Sequence, residues 1–98
     1  MHNLDQKVFG KITTKEIIGA DPNLEKTKLI LENELEILLS ELKSNSRENL
    51  KNLLDEQKKA EDHINSRPGA MALAQNKIQL FNEFSRKYIL ELRKLLES

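Results

Sequence analysis

Two histidines, 16 carboxylates and no cysteine are the groups from which a reacting or metal-binding centre would have to be built. A zinc site needs three or four ligands, usually drawn from cysteine and histidine. A carboxylate-bridged metal centre in a helical bundle uses Glu-x-x-His on a helix. The residue three before His63 is Ala60, so that motif fails. His63, beside Asp62, reads as a solvated surface residue, and His2 lies at the terminus. Glu32, Glu34, Glu36 and Glu41 could be read as paired carboxylates, and Glu32 and Glu36 share a helix face. The plainer reading is a solvated acidic face, or a docking surface for a basic partner. The three glycines are far apart and fit neither dinucleotide nor Walker spacing. No catalytic residue, metal or cofactor is expected, and the chain is not expected to be an enzyme.

Binding chemistry has more to work with. Arg67, with the backbone N–H groups near Gly69 and Ala70 at a helix start, could hold an anion, because helix N-termini attract phosphate. The competing reading is an ordinary turn. Phe81, Phe84 and Tyr88 fall within two turns of one helix. Phe81 and Tyr88 lie on its apolar seam and are assigned to the core. Phe84 lies off that seam and is expected to be partly exposed. With Tyr88, Arg86 and Lys87 it forms the candidate partner-binding patch, since aromatic side chains concentrate at binding hot spots. Arg86, Lys87, Arg93 and Lys94 beside an apolar face would also suit a membrane surface. That face is needed for a core, however, and cations suit a helix C-terminus in any case.

Helices must position these groups. Leucine supplies 17 of the 98 residues, and there is one valine. Leucine, lysine and glutamate lose little rotamer freedom in a helix. Asp21-Pro22 predicts a helix start, with aspartate as cap and proline in the first turn. Leu24, Leu31, Leu35, Leu38 and Leu42 then predict a helix over residues 22–43. Ser44-Asn45-Ser46 predicts a break, with Asn45 and Glu48 at capping-box spacing. A second helix, residues 46–65, carries a narrow stripe through Leu50, Leu53, Leu54, Gln57, Ala60 and Ile64. Asp55 with Lys59, and Lys58 with Asp62, are spaced to pair across one turn. The alternative is one continuous helix through the break. Arg67-Pro68-Gly69 marks the strongest interruption. Residues 68–97 then hold the longest seam, through Met71, Ala74, Ile78, Phe81, Ser85, Tyr88, Leu92 and Leu95. Residues 1–20 are least regular. Leu4, Val8 and Ile12 fall at helical spacing, Gly10 and Gly19 interrupt, and Thr13 or Thr14 could cap a further turn. This segment reads as an arm whose apolar residues pack on the main body.

Charge narrows the function classes. Sixteen basic residues balance 16 acidic ones. A nucleic-acid partner recognised by bulk charge needs a basic excess and is disfavoured. Neutrality conceals a gradient. Residues 24–43 carry five glutamates and three lysines, whereas residues 67–98 carry six basic and three acidic groups. The acidic first helix and the basic third one are expected to be neighbours. No run approaches the roughly 20 apolar residues of a membrane span. The N-terminus lacks the layout of a signal peptide, so the cytoplasm is the expected compartment.

The expected fold is all-α. It is a single domain, a small antiparallel three-helix bundle or long helical hairpin with an N-terminal arm. The third seam looks wider than two helices can cover, which predicts a homodimer. The layout resembles, in architecture alone, the helical-bundle immunity proteins that accompany bacteriocins, and no site residue is carried over. The expected function is a non-enzymatic interaction module that binds a protein partner and inhibits or organises it, in the manner of an antitoxin, an immunity protein or a phage-encoded inhibitor. The alternative is a helical protein holding a phosphate-containing ligand or nucleotide at Arg67 and Gly69.

Overall fold

A computed structural model describes residues 6–18, 23–66 and 72–97, with the side chains of 72–74 excepted. The described chain is mostly helical, with four helices and one two-stranded sheet. Strands β1 (Lys7–Phe9) and β2 (Ile12–Thr13) pair antiparallel. Helix α1 (Thr14–Ile18) follows directly, then α2 (Leu24–Glu41), a 3₁₀ turn (Leu42–Ser44), α3 (Arg47–Asn65) and α4 (Ala72–Glu97). The molecule measures 40 × 29 × 20 Å. At 1.5 Å per residue the 26 residues of α4 account for its long dimension. No helix among the described residues is long and apolar enough to cross a membrane.

The N-terminal segment departs most from expectation. Val8 and Ile12 share helical spacing, yet they lie on opposite strands of a hairpin. Gly10 makes the turn. Its φ of 59° is a conformation a side chain disfavours, and the first central residue of a two-residue hairpin needs it. A Cβ at Gly10 would also come within 2.8 Å of Glu34 Cγ, because the buried Glu34 side chain lies against the turn. Strands this short are not stable alone. Burial holds them, since Val8, Phe9, Ile12 and Ile17 are all in the core. Thr14 closes the unit by donating from both its backbone N–H (2.8 Å) and its hydroxyl (3.0 Å) to the Gln6 carbonyl. Glu16 accepts from the Thr13 N–H at 3.1 Å, which is half of a capping box at the start of α1.

The helix boundaries follow from identifiable caps. Asn23, not Asp21, caps α2 by accepting from the Lys26 N–H at 3.0 Å. Asp21 and Pro22 lie outside the described residues. The break after α2 is real, so the continuous-helix alternative falls. Asn45 does not cap α3. Its amide donates back to the Glu41 carbonyl at 2.9 Å and ends α2 instead. Ser46 caps α3, accepting from the Asn49 N–H at 3.1 Å. Of the surface pairs, Asp55–Lys59 and Lys58–Asp62 do not close to ion-pair distance, whereas Glu91 and Lys94 do at 3.5 Å.

Helix α4 is the element against which α1, α2 and α3 all pack. The acidic α2 and the basic α4 are therefore neighbours, as their charges suggested. Helices α3 and α4 run antiparallel. Arg47, at the start of α3, donates to the Leu96 carbonyl near the end of α4. Further along, the amides of Asn65 and Asn82 bond reciprocally, both at 2.9 Å. The long seam of α4 is buried through Ile78, Phe81, Ser85, Tyr88 and Leu92. The hairpin, through Phe9, and α1 pack on α4 as well.

Phe9 occupies the centre of this packing. Its ring meets Phe81 edge-on at 6.5 Å and Tyr88 edge-on at 5.7 Å. Truncating a core phenylalanine costs about 3–5 kcal/mol, against a total stability of order 5–15 kcal/mol. Phe9→Ala should therefore lose about 3–5 kcal/mol in urea denaturation. Leu29→Ala, at a position 60% exposed, should change it by no more than about 0.5 kcal/mol.

Candidate functional site

The residues picked out from sequence separate into three groups. Phe84 and Tyr88 are buried, at 5% and 3% exposure, so the expected partial exposure of Phe84 is corrected. The cause is the extra cover on α4: with α1 packed there as well as α2 and α3, the buried arc is broader than a two-helix seam. Lys87 adds a lid, its ammonium 4.9 Å from the centre of the Phe84 ring. Arg86 and Lys87 themselves are exposed. Arg67, Gly69 and Ala70 lie outside the described residues.

The charged residues considered for chemistry are dispersed. Glu32, Glu36 and Glu41 are exposed, and Glu34 is buried against Gly10. His63 is half-buried rather than fully solvated. Among the described residues, no group of three or more histidines and carboxylates is arranged to hold a metal ion.

Two concavities among the described residues combine apolar and charged side chains, whereas one beside the turn between α2 and α3 is lined by polar residues alone. The first is a groove of about 400 Å³ between α3 and α4. Ile89 and Leu90 supply its apolar surface, and Lys58, Arg86 and Arg93 stand around it with Glu61. Leu90 is 54% exposed. Glu61 is partly committed, since its carboxylate accepts from the Ser85 hydroxyl. Three cations therefore face one engaged anion. The sequence reading found Arg86 but passed over Leu90. Its signal was available, because Leu90 is an apolar residue well off the α4 seam, about 200° from Tyr88 around the helix.

The second is a cleft of about 280 Å³ where the hairpin meets the helices. Phe9, Leu38, Leu53 and Ala60 give it apolar walls. Glu56, Gln57 and Tyr88 supply polar atoms, and Lys7 lies on its lining from β1. Gln57 is buried, donating to the Val8 carbonyl at 3.1 Å and to Ser85 Oγ at 2.8 Å. Burial pushes the Tyr88 phenol above its ordinary value of 10.0, and the negative charges of Glu56 and then Glu41 push it further. Both concavities offer hydrogen bonds and desolvated walls.

No family model, curated protein or solved structure matches the chain.

Tyr88 is the single tyrosine of the sequence, so its ionisation can be read directly by ultraviolet absorbance. The midpoint should lie above 10.0 in the folded protein and move down in Glu56→Gln. The sign of the linkage follows. The folded phenol holds its proton more tightly than the unfolded one, so its contribution to stability is complete below the unfolded value. That contribution is lost as pH rises from there through the folded value. Melting temperature should fall more steeply with alkaline pH than in Tyr88→Phe.

Proposed function

We propose that this protein is a non-enzymatic interaction module that binds a macromolecular partner and inhibits or organises it. In this reading α2, α3 and α4 act as an antiparallel three-helix bundle that presents the groove between α3 and α4. The partner contributes an acidic segment carrying an apolar side chain. That side chain seats on Leu90, and Lys58, Arg86 and Arg93 pair with the flanking carboxylates.

The observation that carries the reading is Leu90, 54% exposed in a groove whose lining also holds Lys58, Arg86, Arg93 and the engaged Glu61. Leucine exposed singly on a surface is ordinary, and Leu29 and Ile37 are also exposed. Leu90 differs in lying in a concave site with charge of one predominant sign. A concave apolar floor with a charged rim has the layout of a binding interface: the centre supplies affinity and the rim supplies selectivity and association rate. Arg86 keeps the role expected from the sequence. Phe84 does not, because a buried ring cannot anchor a partner without unfolding its surroundings.

Affinity capture from native lysate with the wild type, Leu90→Asp and Leu29→Asp tests this. The wild type and Leu29→Asp should retain the same partner, and raised salt should weaken that retention, because rim charges are screened. Leu90→Asp should lose the partner with its melting temperature unchanged. Equal retention by Leu90→Asp would contradict the assignment.

A further inference from the structure

The buried hydrogen bonds behind the basic groove set the direction of one proton. The Val8 carbonyl can only accept, so the Gln57 amide nitrogen must face it, and it donates there at 3.1 Å. The second hydrogen of that nitrogen goes to Ser85 Oγ at 2.8 Å. Ser85 is fully buried and Gln57 is 5% exposed, so neither can turn to water. With its oxygen accepting from Gln57, the Ser85 hydroxyl has its own hydrogen left to give, and it gives it to the Glu61 carboxylate. A charge-assisted bond of this kind is stronger than one between neutral groups.

The bond matters for the groove because of what Glu61 would do without it. Glu61 lines the groove with Lys58, Arg86 and Arg93. Lys58 lies three residues before it on α3, a spacing at which helix side chains meet. Arg86 adjoins Ser85 on α4. Yet among the described residues none of the three cations comes within ion-pair distance of Glu61. Exposed ion pairs gain little against the entropy of holding two long side chains in one geometry. The bond from Ser85 needs no such ordering on the donor side, because its hydroxyl is already fixed in the core. The carboxylate therefore stays with Ser85, and the cations are left to a ligand.

We propose that Ser85 is a positioning residue for this groove. Its hydroxyl holds the Glu61 carboxylate off Lys58, Arg86 and Arg93, and so keeps the groove selective for a partner segment that bears carboxylates. Ser85 itself touches no ligand. The effect on a partner rests on the groove's being the binding surface; the placement of Glu61 does not.

NMR on the full isotope-labelled chain tests the placement. It reads how fast the Lys58 ammonium and the Arg86 and Arg93 Nε–H protons exchange with water, a rate that pairing with a carboxylate slows. Glu61→Gln keeps an acceptor for Ser85 and should leave these rates as in the wild type. Ser85→Ala should slow at least one of them, and adding Glu61→Gln should restore it. Titration with an acetylated pentapeptide, one leucine between two pairs of glutamates, tests the effect on binding. Ser85→Ala should weaken the peptide by about two- to fivefold, the contribution of one exposed ion pair. In the Glu61→Gln background, Ser85→Ala should weaken it no further. Three results overturn the proposal. The first is faster exchange in Glu61→Gln alone, which would mean that the carboxylate was already paired, and which needs no Ser85 variant to fold. The second is unchanged exchange in folded Ser85→Ala. The third is equal weakening of the peptide by Ser85→Ala with and without the Glu61 charge, the mark of a merely structural role. The expected exchange pattern with no peptide binding by the wild type upholds the placement of Glu61 and contradicts the groove as a binding surface.

Discussion

The ring of Phe9, set edge-on between Phe81 and Tyr88, is the contact on which the rest of the molecule depends. Helix α4 presents a broader apolar arc than α2 and α3 cover by themselves. The chain completes the cover with its own N-terminus, folded into a hairpin small enough to fit among the helices. Fully burying a phenylalanine contributes about 1.5–3 kcal/mol relative to exposure. That is a large share of the margin available to 98 residues. The same insertion positions the outer surface of the molecule, because it fixes how α4 lies against its neighbours.

Burying a strand brings a cost, since its backbone polar groups must find partners away from water. The Val8 carbonyl finds Gln57. The Gln57 amide also donates to Ser85, and the Ser85 hydroxyl donates to Glu61. Each link satisfies a group that would otherwise destabilise the core by about 1–3 kcal/mol. The sequence of bonds runs from β1 through α3 and α4 to the wall of the basic groove. It explains why one wall of that groove offers a carboxylate that is already engaged, leaving its cations as the dominant charge.

The helices could be read from the sequence because their signals are long and redundant. The α4 seam repeats over several turns, and Ser44-Asn45-Ser46 holds three cap-type residues together. The exact caps could not be read, since Asn45 and Ser46 are both good candidates and only geometry assigns them to opposite helices. The hairpin left almost no signal. Its strands are three and two residues long, and Val8 and Phe9 are adjacent yet both buried. The alternation that marks a half-exposed strand is therefore absent. Val8 and Ile12 mimic a helical repeat by coincidence, and Gly10 reads as an interruption when it is the turn. Phe84 was misplaced for a related reason. It lies about 40° from Tyr88 around the helix, close enough to be covered once α1 is added to the count of neighbours. Leu90 gave a signal that was passed over, because an apolar residue off the seam looks like noise until a groove is seen beneath it.

The central claim is that the N-terminal hairpin is part of the core and not an arm laid on a finished bundle. Native-state amide hydrogen exchange tests it most directly, at the Thr14 N–H that bonds to the Gln6 carbonyl. If the hairpin is integral, this amide opens only with the whole molecule, and its protection should match that of the most protected α4 amides near Phe81 and Tyr88. Exchange at Thr14 through a low-energy local opening, while α3 and α4 stay protected, would contradict the account.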